Sequence, residues 1–202
     1  MAPRVLELFS GTHSFGKWAE KKGYEVISLD ILRTSKATHT CDILDFDYKQ
    51  YAVGSFDIIW ASPPCTQYSQ ARTSKKPRDL EGANKIVQRT LDIIDYLKPR
   101  RWALENPQTG LLRKQEFMKD RPYMMLDYCQ FSTSIDNFPY RKRTAIWSDV
   151  IKPDKKCDYK CDGILANPAK NGHVGTFCGK KNICLSLKHR VPQALFDYVL
   201  GV

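Results

Sequence analysis

Two short segments hold the residues best equipped to do chemistry. Ser62-Pro63-Pro64-Cys65-Thr66-Gln67-Tyr68-Ser69 sets a cysteine behind two prolines, whose rings fix the backbone just before the thiol. Leu104-Glu105-Asn106-Pro107 offers a carboxylate in a comparable place, directly after a short apolar run. A thiolate is a nucleophile suited to covalent catalysis, and a carboxyl group beside the reacting atoms can move a proton. Taken singly, Cys65 also reads as a small buried residue and Glu105 as a turn carboxylate ahead of a proline. Taken together they describe a covalent mechanism, provided the fold brings them to one place.

The apolar patterning indicates how it would. Val5-Leu6-Glu7-Leu8-Phe9 reads as a buried strand, followed by a Ser-Gly-Thr-His-Ser turn. Residues 14–22 have helical spacing, with Phe15, Trp18 and Ala19 on one face and Gly23 as the stop. Residues 25–29 form a second strand ending at Asp30, and residues 56–61 a third that runs into the Pro-Pro-Cys segment. Between about 82 and 98, Ile86, Val87, Thr90, Leu91, Ile94 and Leu97 make a helical stripe that Pro99 ends. Trp102-Ala103-Leu104 is a strand leading to Glu105, and residues 195–200 a short closing helix. Repeated strand–helix units predict an α/β fold, a Rossmann-like, mostly parallel sheet with helices on both faces. Ligands of such sheets bind at the carboxyl ends of the strands. Gly11, Asp30, Cys65 and Glu105 all fall there.

Residues 68–82 are a polar, basic loop, and residues 151–190 are rich in Gly, Asn and Lys without a helical stripe. The expected organisation is a catalytic and cofactor-binding domain over 1–150, a small basic insert over 151–190, and a helix over 191–202 that returns to the first domain. A net charge of +10 favours a polyanionic partner such as nucleic acid. Within the insert, nine Lys and Arg stand against three Asp, a density that suits phosphate contacts or a solvated loop. No apolar run reaches the ~20 residues of a membrane span, and the Met-Ala-Pro-Arg start lacks a signal-peptide cleavage site. The chain is therefore expected to be a soluble monomer of the cytoplasm or nucleus, not secreted and not membrane-bound. Seven cysteines, an odd number, argue against a full disulfide framework. Cys157-x3-Cys161 and Cys178-x5-Cys184, with His173 between them, are candidate zinc ligands. Their spacing is looser than the usual Cys-x2-Cys, so unliganded thiols are the favoured reading.

Carbon 5 of cytosine is a poor nucleophile until a thiolate adds to carbon 6, and a carboxyl group beside ring nitrogen 3 eases that addition. An exocyclic amine needs no such help, and amino-group methyltransferases place an aromatic residue where Cys65 stands. Over nearly its whole length the sequence resembles the cytosine carbon-5 DNA methyltransferase family, with the motifs in the family's order. Leu6-Glu7-Leu8-Phe9-Ser10-Gly11, continuing through Thr12, His13, Ser14 and Phe15, is similar to the first cofactor motif. Asp30, followed by Ile31, matches the acidic residue that binds ribose hydroxyls, and Asp42-Ile43 the pair that contacts adenine. Pro64-Cys65 resembles the nucleophile motif, continued by Tyr68 and Ser69, and Glu105-Asn106 the glutamate motif. Phe138 to Trp147 is similar to the basic strand whose two arginines, here Arg141 and Arg143, embrace the cytosine and its phosphate. Arg190-Val191-Pro192-Gln193-Ala194-Leu195 stands where the last motif closes over the cofactor.

The resemblance implies a methyl donor, S-adenosyl-L-methionine, a flipped base, and a double-stranded DNA partner met by Tyr68, Ser69, Arg72, Lys75, Lys76, Lys180 and Lys181. Several positions depart from the family. His13 replaces its second glycine, Thr66 the glutamine after the cysteine, and Pro107 a valine; the glutamine before the arginine pair is missing, and the asparagine of the last motif is not evident. The recognition insert is also short, about forty residues. An RNA substrate such as tRNA needs the same catalytic residues, and a non-catalytic binding module is the alternative from another class. A virus or phage origin fits so compact a chain.

Overall fold

Alternating side chains decide how the central strands are covered. In the first strand Leu6 and Leu8 join one apolar layer while Val5 joins the other. Ile59 and Ala61 against Ile58 and Trp60 repeat the division. Both faces are therefore buried, which explains the near-continuous apolar runs. The computed structural model describes residues 2–70, 75–134, 136, 138, 141–161 and 189–201.

Seven strands make one sheet: β1 (Arg4–Leu8), β2 (Glu25–Asp30), β3 (His39–Thr40), β4 (Ile58–Ala61), β5 (Arg101–Pro107), β6 (Tyr123–Asp127) and β7 (Arg143–Ser148). Their order is β3-β2-β1-β4-β5-β7-β6. The first five in that order run parallel, and β7 lies antiparallel between β5 and β6. The order reverses at β1 and β4, and there the carboxyl ends open a crevice. The α/β reading of the sequence holds.

Helix α1 (Ser14–Lys21) and helix α2 (Leu80–Leu97) cover opposite faces. α2 begins two residues before the expected start because the Asp79 side chain accepts the Gly82 amide at 2.8 Å. It ends at Lys98, whose left-handed backbone (φ 46°) precedes Pro99. Helix α3 (Gln193–Leu200) packs beside α1, starting two residues earlier than the expected 195. The Phe196 ring meets Trp60 edge-on at 4.7 Å and Phe15 at 5.4 Å, and the Trp18 indole donates to Asp197 at 3.1 Å.

Strands β3 and β6 carried no sequence signal. β3 has two residues, and the Tyr-Met-Met-Leu-Asp of β6 lacks β-branched side chains. The first residues of the expected insert run along β6. The Lys155 amide donates to Met125 (3.0 Å) and the Asp127 amide to Lys155 (2.8 Å). Among the described residues, no helix is long and apolar enough to cross a membrane. Phe196 is fully buried in the aromatic cluster. Its replacement by alanine should cost about 3–5 kcal/mol in denaturant unfolding; a loss below about 1 kcal/mol would mean that α3 does not close this layer.

Candidate active site

The turn after β1 is built around Glu7. This buried carboxylate accepts the Phe15 amide at the start of α1 (3.1 Å) and pairs with His13 Nδ1 at 2.6 Å. His13 has a left-handed backbone, φ 56°, and its ring occupies the space a side chain on Gly16 would need. The pairing with Glu7 chiefly, and Glu20 further, raises the imidazole pKa against the opposing effect of burial. Gly11, also left-handed at φ 45°, donates its amide to Asp30 Oδ2 at 2.8 Å, while Asp30 Oδ1 accepts the Leu32 amide. This ties the β1 turn to the end of β2.

Above these strand ends lies a cavity of about 420 Å³. Of the expected cofactor residues, Glu7, Phe9, Ser10, Gly11, Thr12, Ser14, Phe15, Asp30, Ile31, Asp42, Ile43 and Pro64 line it, and His13 does not. His13 instead braces the turn from below. Ser10 is buried, and its hydroxyl has no partner among the described residues. A buried donor left in that state fits a polar ligand. Val191, just before α3, also lines the cavity, its amide within 3.3 Å of the Ser14 hydroxyl. Asp136 fixes this closing segment by accepting from Arg190 (2.6 Å) and from the Gln193 amide (2.7 Å).

Cys65 and Glu105 line the same cavity. The Cys65 carbonyl accepts the amides of Tyr68 (3.0 Å) and Ser69 (2.8 Å), which closes a tight turn past β4. Asn106 donates to the Pro63 carbonyl at 3.0 Å, so β5 holds the cysteine loop directly. Burial raises the Cys65 pKa and the Glu105 charge raises it further, while Lys142 acts in the opposite sense. These surroundings favour the thiol over the thiolate more than in an ordinary cysteine.

Glu105 is 5% exposed, and its contacts converge on Oε1. The Tyr128 hydroxyl donates at 2.9 Å, the Thr144 hydroxyl donates as well, and Lys142 Nζ stands 3.6 Å away. Lys142, Tyr128 and Thr144 did not emerge from the sequence. Lys142 was visible between the two arginines, and strand alternation could have found it, because Glu105 pairs with Ile146 and even-numbered β7 residues share its face. Tyr128 follows β6, which gave no signal.

Arg141 and Arg143 are not in the cavity wall; Lys142 is. Arg143 makes a two-pronged pair with the fully buried Asp127, at 3.0 and 2.7 Å. Arg141 is buried with its guanidinium 4.9 Å above the Tyr159 ring, and its Nε and Nη1 have no partner among the described residues. Of the expected DNA contacts, Lys75 and Lys76 are exposed and Ser69 is half-buried. Tyr68 is a correction. It is fully buried and its hydroxyl donates to Asn84 at 2.9 Å, so it anchors the loop and has no surface to offer nucleic acid. Arg78 likewise spends its guanidinium on the carbonyls of Gln67 and Ser69. Arg72, Lys180, Lys181, His173, Cys178 and Cys184 lie outside the described residues.

The family model for C-5 cytosine-specific DNA methylases matches residues 4–120, which contain β1 to β5 and both cavity-lining loops. A curated protein of Frog virus 3 (isolate Goorha), named "Probable DNA (cytosine-5)-methyltransferase", is 34% identical, with 98% of this chain and 99% of that protein covered. Among solved structures, an E. coli protein described as a "putative DNA modification methyltransferase encoded within prophage" superposes with a TM-score of 0.50 at 15% identity, a likeness of fold. The match covers 81% of this chain and 54% of that one, so the chain spans about half that structure's length. With a cysteine and a glutamate meeting at one cavity, and with both sequence matches, this chain belongs to the C-5 cytosine-specific DNA methylase family.

Proposed function

We propose that the chain methylates carbon 5 of a cytosine turned out of duplex DNA, with Cys65 as covalent nucleophile and Glu105 as its proton partner. The observation that carries this reading is the shared cavity, where the thiol and the carboxylate stand beside the β1 turn. S-adenosyl-L-methionine fits that turn. The unpartnered Ser10 hydroxyl, Asp30, and the Asp42-Ile43 pair would hold it, with Val191 closing from α3. When bound, it supplies an electrophilic methyl group on a sulfonium sulfur.

The chain's own groups do the rest. Cys65, its proton lost to solvent, adds as the thiolate to carbon 6 of the base while Glu105 passes a proton from solvent to ring nitrogen 3. The pair of electrons displaced from the ring makes carbon 5 nucleophilic toward the methyl group. After transfer, a base removes the carbon-5 proton, the carbon–sulfur bond breaks, and nitrogen 3 gives back its proton. Tyr128 and Thr144 hold Glu105 Oε1 in place throughout. Arg141, with two buried donors unpartnered among the described residues, is the better placed of the two arginines to meet the base or its phosphate. Arg143 would act through Asp127. Lys75 and Lys76 offer phosphate contacts beside the loop.

Two experiments test this reading. Labelled methyl from S-adenosyl-L-methionine should appear as 5-methyldeoxycytidine in mixed-sequence duplex DNA, be absent with Cys65→Ala, and fall about 10²–10⁴-fold with Glu105→Gln. Label confined to tRNA would keep the chemistry and change the substrate, and activity retained by Cys65→Ala would remove the nucleophile. The second follows from the thiol's environment. Because Cys65 titrates above the ordinary thiol range, kcat/KM should rise with pH on an alkaline limb. Lys142→Ala removes the charge that favours the thiolate, so the limb should move to higher pH and the deficit should shrink as pH rises. A limb that stays put or moves down would contradict the assignment.

A further inference from the structure

A second group of reactive side chains lies behind the arginine strand. Cys129, on the turn after β6, meets Cys157 and Cys161 from the segment that runs along that strand. Their three sulfur atoms lie within 4.8 Å of one another, and all three thiols are free. Backbone pairing fixes this meeting. The 153–157 segment is laced to β6 through Met125, Lys155 and Asp127, and the Cys157 amide donates to Asp127 Oδ2 at 2.8 Å. Cys157 is 4% exposed and the other two are half-buried.

Three thiols converging here fit a soft divalent cation better than a disulfide. A disulfide needs two sulfurs at about 2.05 Å and would leave the third unused. A tetrahedral zinc with bonds of about 2.3 Å spaces its sulfurs about 3.8 Å apart, inside the separation seen. Among the described residues, 149–161 have no helix or strand of their own and little apolar content, the setting in which a metal often supplies the missing cross-link.

We propose that Cys129, Cys157 and Cys161 bind one Zn²⁺ as thiolates, releasing their three protons and leaving the fourth tetrahedral position to a ligand outside the trio. This set differs from the one the sequence suggested. It takes in Cys129, which has no spacing motif, and does not require Cys178 or Cys184. The ion is a staple. It joins the β6 turn to residues 153–161, and so steadies Asp127, which holds Arg143, and Tyr128, which holds Glu105.

The test uses the full chain purified under reducing conditions without added chelator. Metal analysis should find about one zinc per chain, and Co²⁺ exchanged into the site should give the thiolate charge-transfer and tetrahedral visible bands. Cys129→Ser should lose the ion and the bands, whereas Cys41→Ser, a free thiol outside the trio, should keep both. Chelation should lower the Tm of the wild-type chain and leave that of Cys129→Ser unchanged. The Co²⁺ spectrum of the wild-type chain stands even if a variant folds poorly. Absence of those bands from reduced wild-type protein, or a full equivalent of metal retained by Cys129→Ser, would overturn the proposal.

Discussion

A carboxylate buried as deeply as Glu105 persists only where other groups replace its water, and the antiparallel pairing of β5 with β7 is what supplies them. Glu105 stands opposite Ile146, so its same-face neighbours are Thr144 on β7 and Lys142 just before that strand, and both reach its Oε1. A register slip of one residue would turn both away and bring Ala145 and Arg143 to that face. The next residue of β5, Asn106, points to the other face and binds the Pro63 carbonyl. One strand thus places the carboxylate with one side chain and the cysteine loop with the next. The placement of Cys65 relative to Glu105 is set by a two-residue repeat of β5 and by the short turn after β4.

The same alternation divides the basic strand. Lys142 faces the cavity, while Arg143 faces Asp127, which also receives the Cys157 amide. Three like charges in a row therefore have separate surroundings. At the other end of the cavity the β1 turn uses a different device. A histidine stands where the family has a second glycine, and takes up the left-handed backbone that a glycine would accept without strain. Its imidazole then pairs with Glu7, so the conformational cost is offset by a charged contact under the turn.

Much of the fold was legible in the sequence, because β1, β2, β4 and α2 are covered on both sides or carry an unbroken stripe. Their residues had to be apolar at fixed spacing. The β1 turn was legible for a related reason, since the Gly11 amide and the Asp30 carboxylate bind each other across it. β6 was not, because its Met and Leu side chains suit a helix as well as a strand. Everything that depends on β6 was missed with it: Tyr128, Asp127 and Cys129. Tyr68 misled for the opposite reason. Its place beside the cysteine suggested contact with a ligand, whereas the loop folds it inward onto Asn84. Proximity in sequence to a reactive residue does not distinguish a side chain that touches the substrate from one that holds the loop.

Covalent attack by Cys65 on the base is the central claim, and a trapped adduct tests it most directly. Duplex DNA carrying 5-fluorocytosine would be incubated with the chain and S-adenosyl-L-methionine, then denatured and digested for mass spectrometry. Fluorine at carbon 5 cannot leave as a proton does, so elimination of the cysteine is blocked after methyl transfer. The expected result is a denaturation-resistant protein–DNA species whose linked peptide contains Cys65, and its absence from Cys65→Ala. Normal methylation of unmodified DNA without any such species, or a linkage mapped to another cysteine, would contradict it.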